Sequence, residues 1–136
     1  MVKHSNAVLS LSYNSSNGET FNPWGFDPAF TSSLFSRNAY RDDVNAYKVA
    51  VKYSFAKNLI FSASYANYGQ SKSYGGNVDR TLLPTRDAEE LDIVLTYKPY
   101  KKFSIKLLNA RRTSEYESTS SNRKQNQFRV ITQYSF

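Results

Sequence analysis

Residues 45–69 read NAYKVAVKYSFAKNLIFSASYANYG. Tyr47, Val49, Val51, Tyr53 and Phe55 fall at every second position, and Lys48, Ala50, Lys52 and Ser54 fill the gaps. A β-strand sends successive side chains to opposite faces, so this spacing makes one apolar, aromatic face and one polar face. After Ala56–Asn58 the alternation restarts as Leu59, Phe61, Ala63 and Tyr65 opposite Ser62, Ser64 and Ala66. So short a connection predicts an antiparallel hairpin.

The same period extends outward in both directions. Ala7, Leu9, Leu11 and Tyr13 alternate in residues 6–14. Leu91, Ile93, Leu95 and Tyr97 do so in residues 90–100, against Asp92, Val94, Thr96 and Lys98. Phe103, Ile105 and Leu107 follow in residues 102–112, where the pattern degrades after Asn109. The last stretch, FRVITQYSF, sets Phe128, Val130, Tyr134 and Phe136 in one row, with Thr132 as a gap. No window has a helical repeat. The sequence therefore predicts an all-β fold of about six antiparallel amphipathic strands, each near the 9–11 residues that cross a bilayer at a tilt.

The connections carry as much information as the strands. Ala56–Asn58 and Pro99–Lys102 are tight turns, whereas residues 15–43, 70–89 and 114–126 are long and polar. Long and short links alternate strictly. A soluble sandwich has no reason to keep that order, but an up-and-down transmembrane β-barrel does, with short periplasmic turns and long extracellular loops. Aromatics near the expected strand ends (Tyr13, Tyr53, Phe55, Tyr65, Tyr97, Tyr100, Phe103, Phe128, Tyr134 and Phe136) fit a girdle at the headgroups. A terminal Phe136 then lies on the lipid side at the periplasmic edge.

Composition removes several classes of function. The 136 residues carry 18 Lys and Arg against 11 Asp and Glu, a net charge of +7, and contain no cysteine. Disulfides, thiolate metal sites and thiol nucleophiles are excluded. His4 is the sole histidine and has no partner for a histidine-based centre. The acid pairs Asp42–Asp43 and Glu89–Glu90 are read as solvated loop acids, because neighbouring strand residues point to opposite faces. The Tyr74–Gly76 stretch is a loop tip without the strand–loop–helix context of a phosphate cradle. Trp24 is read as a packed loop anchor. No catalytic, cofactor-binding or metal site is expected, and no enzyme.

If the apolar faces touch lipid, the alternate faces line a lumen. Lys48, Lys52, Asp92, Lys98, Lys106 and Arg129 are the candidate lining residues. Fixed cations in a water-filled pore raise the local concentration of anionic solutes and hold them weakly enough to pass them on.

The hairpins at residues 46–69 and 89–110, the loop FNPWGFDPAFTSS at 21–33 and the terminal FRVITQYSF resemble the C-terminal part of the OprD family of outer-membrane porins. The terminal aromatic, with Tyr134 two positions before it, is similar to the signal read by the outer-membrane assembly machinery; Phe128, Val130, Tyr134 and Phe136 would form it. The resemblance implies a large barrel, an inward-folded constriction loop lying upstream of this sequence, and a ladder of basic residues guiding carboxylate-bearing solutes by passive diffusion. Lys48, Lys52, Lys106 and Arg129 are the positions here that match such a ladder. Six strands cannot close a porin, since about 16–18 leave an aqueous channel. Residues 1–136 are therefore expected to be one section of a larger barrel, with any export signal outside the sequence. The implied setting is the bacterial outer membrane, and the implied partners are lipid and lipopolysaccharide, the remaining strands of the barrel, the assembly machinery and small solutes. Two rivals remain. One is a soluble basic β module binding nucleic acid, although aromatic and basic residues segregate to opposite faces where a stacking platform wants them together. The other is an adhesin-like surface protein using open strand edges.

Overall fold

A computed structural model of the chain describes residues 2–4, 6–17, 31–35, 41–73, 85–117 and 122–136. The loop motif around Trp24, the Tyr74–Gly76 tip and the His4 side chain lie outside the described residues. Among those described there is no helix, and none long and apolar enough to cross a membrane. Nine strands occur among the described residues: β1 (Val2–His4), β2 (Ala7–Ser15), β3 (Arg41–Asp42), β4 (Asn45–Ala56), β5 (Leu59–Asn67), β6 (Lys72–Ser73), β7 (Thr85–Tyr100), β8 (Phe103–Tyr116) and β9 (Arg123–Tyr134). Seven form one open antiparallel sheet in the order β1-β2-β4-β5-β7-β8-β9, so sheet order follows chain order once β3 and β6 are set aside. Six long strands wind up and down as the alternation demands. The remaining pair, β3 and β6, forms a separate ribbon.

Register makes the two faces continuous across the sheet. Leu9 pairs with Val51, Val51 with Ala63, Ala63 with Ile93, Ile93 with Asn109 and Asn109 with Phe128. The next apolar rows run Leu11–Val49–Tyr65–Leu91 and Tyr53–Phe61–Leu95–Leu107–Val130. Leu11, Tyr13, Phe55, Phe128 and Tyr134 are each at least 58% exposed, and Leu9, Tyr47, Val49, Val51, Tyr53, Leu91 and Ile93 at least 38%. Together they expose on the order of 1,000 Å² of apolar surface, against the few hundred that a soluble monomer ordinarily shows.

All the short turns lie on one edge and are closed in the same way. The carbonyls of Asn6, Asn58 and Lys102 accept N–H bonds from Ser54, Lys98 and Ser135 on the adjacent strand, at 2.8, 2.8 and 2.9 Å. Each two-residue turn is thereby joined to a third strand, which fixes the hairpins relative to one another. Pro99 belongs to β7 and not to the turn. It lacks an N–H, so it interrupts the ladder, and the register shifts between Tyr97 and Tyr100.

Three expectations are corrected. β7 begins at Thr85 and β8 runs to Tyr116, so residues 85–89 and 114–116 are strand, not loop. Strand β9 begins at Arg123, five residues before the expected start, which moves Phe128 from a strand end to the middle of the apolar band. A short β1, unread in the sequence, pairs Val2 with Leu9 on the outer side of β2.

At the long-connection edge the polar face carries a small core of Val44, Ala46, Ala66, Tyr68 and Ala88. Gly69 follows β5 in a left-handed conformation (φ 54°), where a side chain would be strained, and the Asn67 side chain caps its N–H at 2.9 Å. Beyond this edge Lys72 Nζ lies 2.8 Å from Asp43 Oδ2. The carboxylate raises the Lys72 pKa, but the pair is exposed and contributes little.

Candidate functional site

The face opposite the apolar one holds the charged residues, and pairing sorts them into levels. One level below Asn14–Ala46 and Ala88–Ser114–Arg123, the first complete row runs Ser12–Lys48–Ala66–Glu90–Arg112–Gln125. Two residues nearer the short turns comes Ser10–Ala50–Ser64–Asp92–Ala110–Gln127, then Val8–Lys52–Ser62–Val94–Leu108–Arg129. Below these, Thr96 pairs with Lys106, and Lys106 with Ile131. Successive levels stand about 7 Å apart along a strand, and all but the Asp92 level carry a cation. Lys48, Lys52, Asp92, Lys106 and Arg129 therefore share one face, and Lys98 lines a cavity with Lys52 and Lys106. That cavity, about 480 Å³, also receives the turn residues Lys101 and Lys102, which the alternation pattern had not singled out.

The upper levels are not open wall. A five-residue segment, Thr31–Phe35, lies across them. The Leu34 N–H donates to Asp92 Oδ2 at 3.1 Å and the Phe35 N–H to Glu90 Oε1 at 2.8 Å. Lys48 Nζ donates to the Ser32 carbonyl, and Arg112 Nη1 to the Phe35 carbonyl at 3.4 Å. Tyr68 Oη donates to the Thr31 carbonyl at 3.1 Å and lies 3.0 Å from Ser33 Oγ. The Arg129 guanidinium stands 4.8 Å over the Phe35 ring, a favourable placement for a cation. Beside the segment, a cavity of about 420 Å³ is lined by Ser10, Lys48, Lys52, Ser64 and Asp92.

Glu90 is fully buried and Asp92 nearly so. Glu90 was expected to be a solvated loop acid. Glu89 and Glu90 do diverge as alternation requires: Glu89 accepts from Tyr65 Oη on the apolar side at 2.7 Å. The carboxylates that share a face are Glu90 and Asp92, two residues apart. Arg112 was missed because it lies past Asn109, where the apolar row stops and the alternation can no longer be followed.

Tyr68 is completely buried and anchors the segment through its hydroxyl. Tyr68→Phe should lower stability by about 1–3 kcal/mol, since it leaves buried acceptors without a donor. Urea titration of the refolded protein in detergent would measure this, and no loss would mean that water replaces the hydroxyl.

Phe128, Val130 and Tyr134, expected from the sequence to form an assembly signal, all lie on the apolar face, opposite Asn109, Leu107 and Phe103. Phe136 is fully exposed, its ring 5.3 Å from that of Tyr134 in an edge-on contact.

No family model, curated protein or solved structure matches the chain.

Proposed function

We propose that this chain is a section of an outer-membrane porin, with the apolar face against lipid and the polar face lining a lumen for passive diffusion of small hydrophilic, preferentially anionic, solutes. The observation that carries the reading is the pairing of a continuous, aromatic-bordered apolar face with a continuous cationic face on a single up-and-down sheet. From Tyr47 to Phe55 the apolar row runs about 26 Å along β4, or roughly 20 Å along the membrane normal at a tilt near 40°. That span suits a thin outer membrane. The short-turn edge is then periplasmic and the long-connection edge extracellular. The resemblance to OprD-family porins agrees with this assignment, and the cation-bearing levels are the ladder it implies. Seven strands are too few to enclose water, and open edges in hydrocarbon leave backbone groups unpaired. The outer sides of β1 and β9 are therefore assigned to further strands of the same barrel. The separation of aromatic from basic residues argues against a nucleic-acid platform.

The deciding experiment is planar-bilayer recording of the full-length barrel that carries this chain, with the 136-residue chain alone as control. Discrete channels from the long form and none from the short one support a porin section. A short chain that is folded and monodisperse in buffer without detergent overturns the membrane assignment. On the same reading, Phe136→Ser should deplete heat-modifiable barrel from the outer-membrane fraction. Undiminished folded barrel there would remove Phe136 from the assembly signal.

A further inference from the structure

We infer that Thr31–Phe35 is a strap that narrows the lumen, and that Glu90 and Asp92 are the clamp that holds it and thereby sets the conductance of the channel. The inference rests on the porin reading and adds to it a specific device.

The strap has no sheet partner, so its backbone groups must be satisfied by the wall. Two of its N–H groups and three of its carbonyls are, and each of these meets a wall group of matching sign. Carboxylates take the two N–H groups, of Leu34 and Phe35. Lys48 and Arg112, and the Tyr68 hydroxyl, take the carbonyls of Ser32, Phe35 and Thr31. This constellation is what recognises a peptide backbone, not what a solvated pore wall needs. A carboxylate on an open wall would keep its water, whereas Glu90 has none of its surface exposed. Burying an acid is unfavourable unless it gains hydrogen bonds in return, and the strap supplies the N–H. Lys48 and Arg112 are committed to the strap as well, and Arg129 is partly engaged by Phe35. The ladder available to solutes thus reduces to Lys52, Lys106, Lys98 and the free side of Arg129, on the periplasmic half of the wall.

The test separates clamping from charge. In the full-length barrel, Glu90→Ala with Asp92→Ala removes both acceptors, while Glu90→Gln with Asp92→Asn removes the carboxyl groups and keeps an acceptor oxygen at each position. Leu34→Pro deletes a donor from the strap and leaves the wall intact, so it decides the matter if the alanine pair does not fold. Each is made with Ser64→Cys, which places a thiol on the cavity beside the strap in a chain that has no cysteine of its own. The readouts are single-channel conductance and the rate of modification by a water-soluble methanethiosulfonate. The alanine pair and Leu34→Pro should raise conductance roughly twofold and modification about tenfold, because both depend on the free cross-section. The Gln/Asn pair should leave both near the parent value. Unchanged modification in the alanine pair and in Leu34→Pro would overturn the strap, as would a Gln/Asn pair that behaves like the alanine pair. A parent protein that forms no channels fails the porin reading instead, and the thiol rates still report on the clamp.

Discussion

On the porin reading, Val51→Arg should destabilise the fold by about 2–4 kcal/mol in a bilayer, the cost of a guanidinium at the midplane of a lipid-facing strand. Val51 is midway between Tyr47 and Phe55 on the apolar row of β4, paired with Leu9 and Ala63. Each aromatic lies about 13 Å from it along the strand, too far for an arginine to reach water from the middle without disturbing the lipid. The same substitution at Phe55 should cost only about 0–1 kcal/mol, because the interface hydrates the charge. Lys52→Arg, one residue away and facing the polar side, should be neutral. Urea titration of the folded barrel in lipid vesicles would give all three. The depth profile is the diagnostic feature: lipid penalises charge by distance from the interface, whereas a protein partner on this face would penalise it by local packing. Equal costs at Val51 and Phe55 would assign the apolar face to a protein contact.

The parts of the fold that could be read directly are those with one apolar and one polar face. Tyr47 to Phe55 and Leu59 to Tyr65 alternate because they must, and the hairpin between them follows. The extensions could not be read. Thr85–Glu89, Arg111–Tyr116 and Arg123–Gln127 are polar on both faces, so period 2 vanishes although the ladder continues: Glu89 still pairs with Thr113, and Thr113 with Lys124. On the barrel reading these are the portions that stand clear of the bilayer, where nothing selects an apolar side. Strand β1 escaped notice because three residues are too few to show a period.

The polar face was legible in its sidedness but not in its use. Parity alone places Lys48, Lys52, Asp92 and Arg129 together, since pairing preserves which side a residue faces. Nothing local says that Lys48 donates to Ser32, 16 residues earlier, or that Glu90 accepts from Phe35, 55 residues earlier. Those contacts depend on where a long connection lies after the sheet has formed. The signal that was present is the Glu90-x-Asp92 spacing, where β7 passes from its polar first third into the alternating stretch that begins at Leu91. Two acids on one strand face, on a sheet whose other face is committed to apolar surroundings, point to a specific set of donors above them.

On the porin reading, reversing the open cations, Lys52→Glu, Lys106→Glu and Arg129→Glu together, should convert an anion preference into a cation preference. The reversal potential in a potassium chloride gradient should change sign. Three replacements exchange three positive charges for three negative ones on two adjacent levels, Lys52 and Arg129 sharing one and Lys106 lying on the next. At 0.1 M salt the screening length is about 10 Å, longer than the roughly 7 Å between levels, so the fields of Lys106 and Arg129 on neighbouring strands overlap, while Lys52, four strands from Arg129, adds its own. At 1 M it falls to about 3 Å, and the difference between parent and variant should largely disappear. This salt dependence distinguishes a functional track from lysines that merely tolerate water. Lys48→Glu should alter selectivity less than any of the three, because its ammonium is turned onto the Ser32 carbonyl and faces the strap. Its main effect should be on conductance, through loss of a strap contact. A triple variant that keeps the parent reversal potential at 0.1 M would show that the preference is set by strands elsewhere in the barrel, and that these cations serve only to keep the polar face wet.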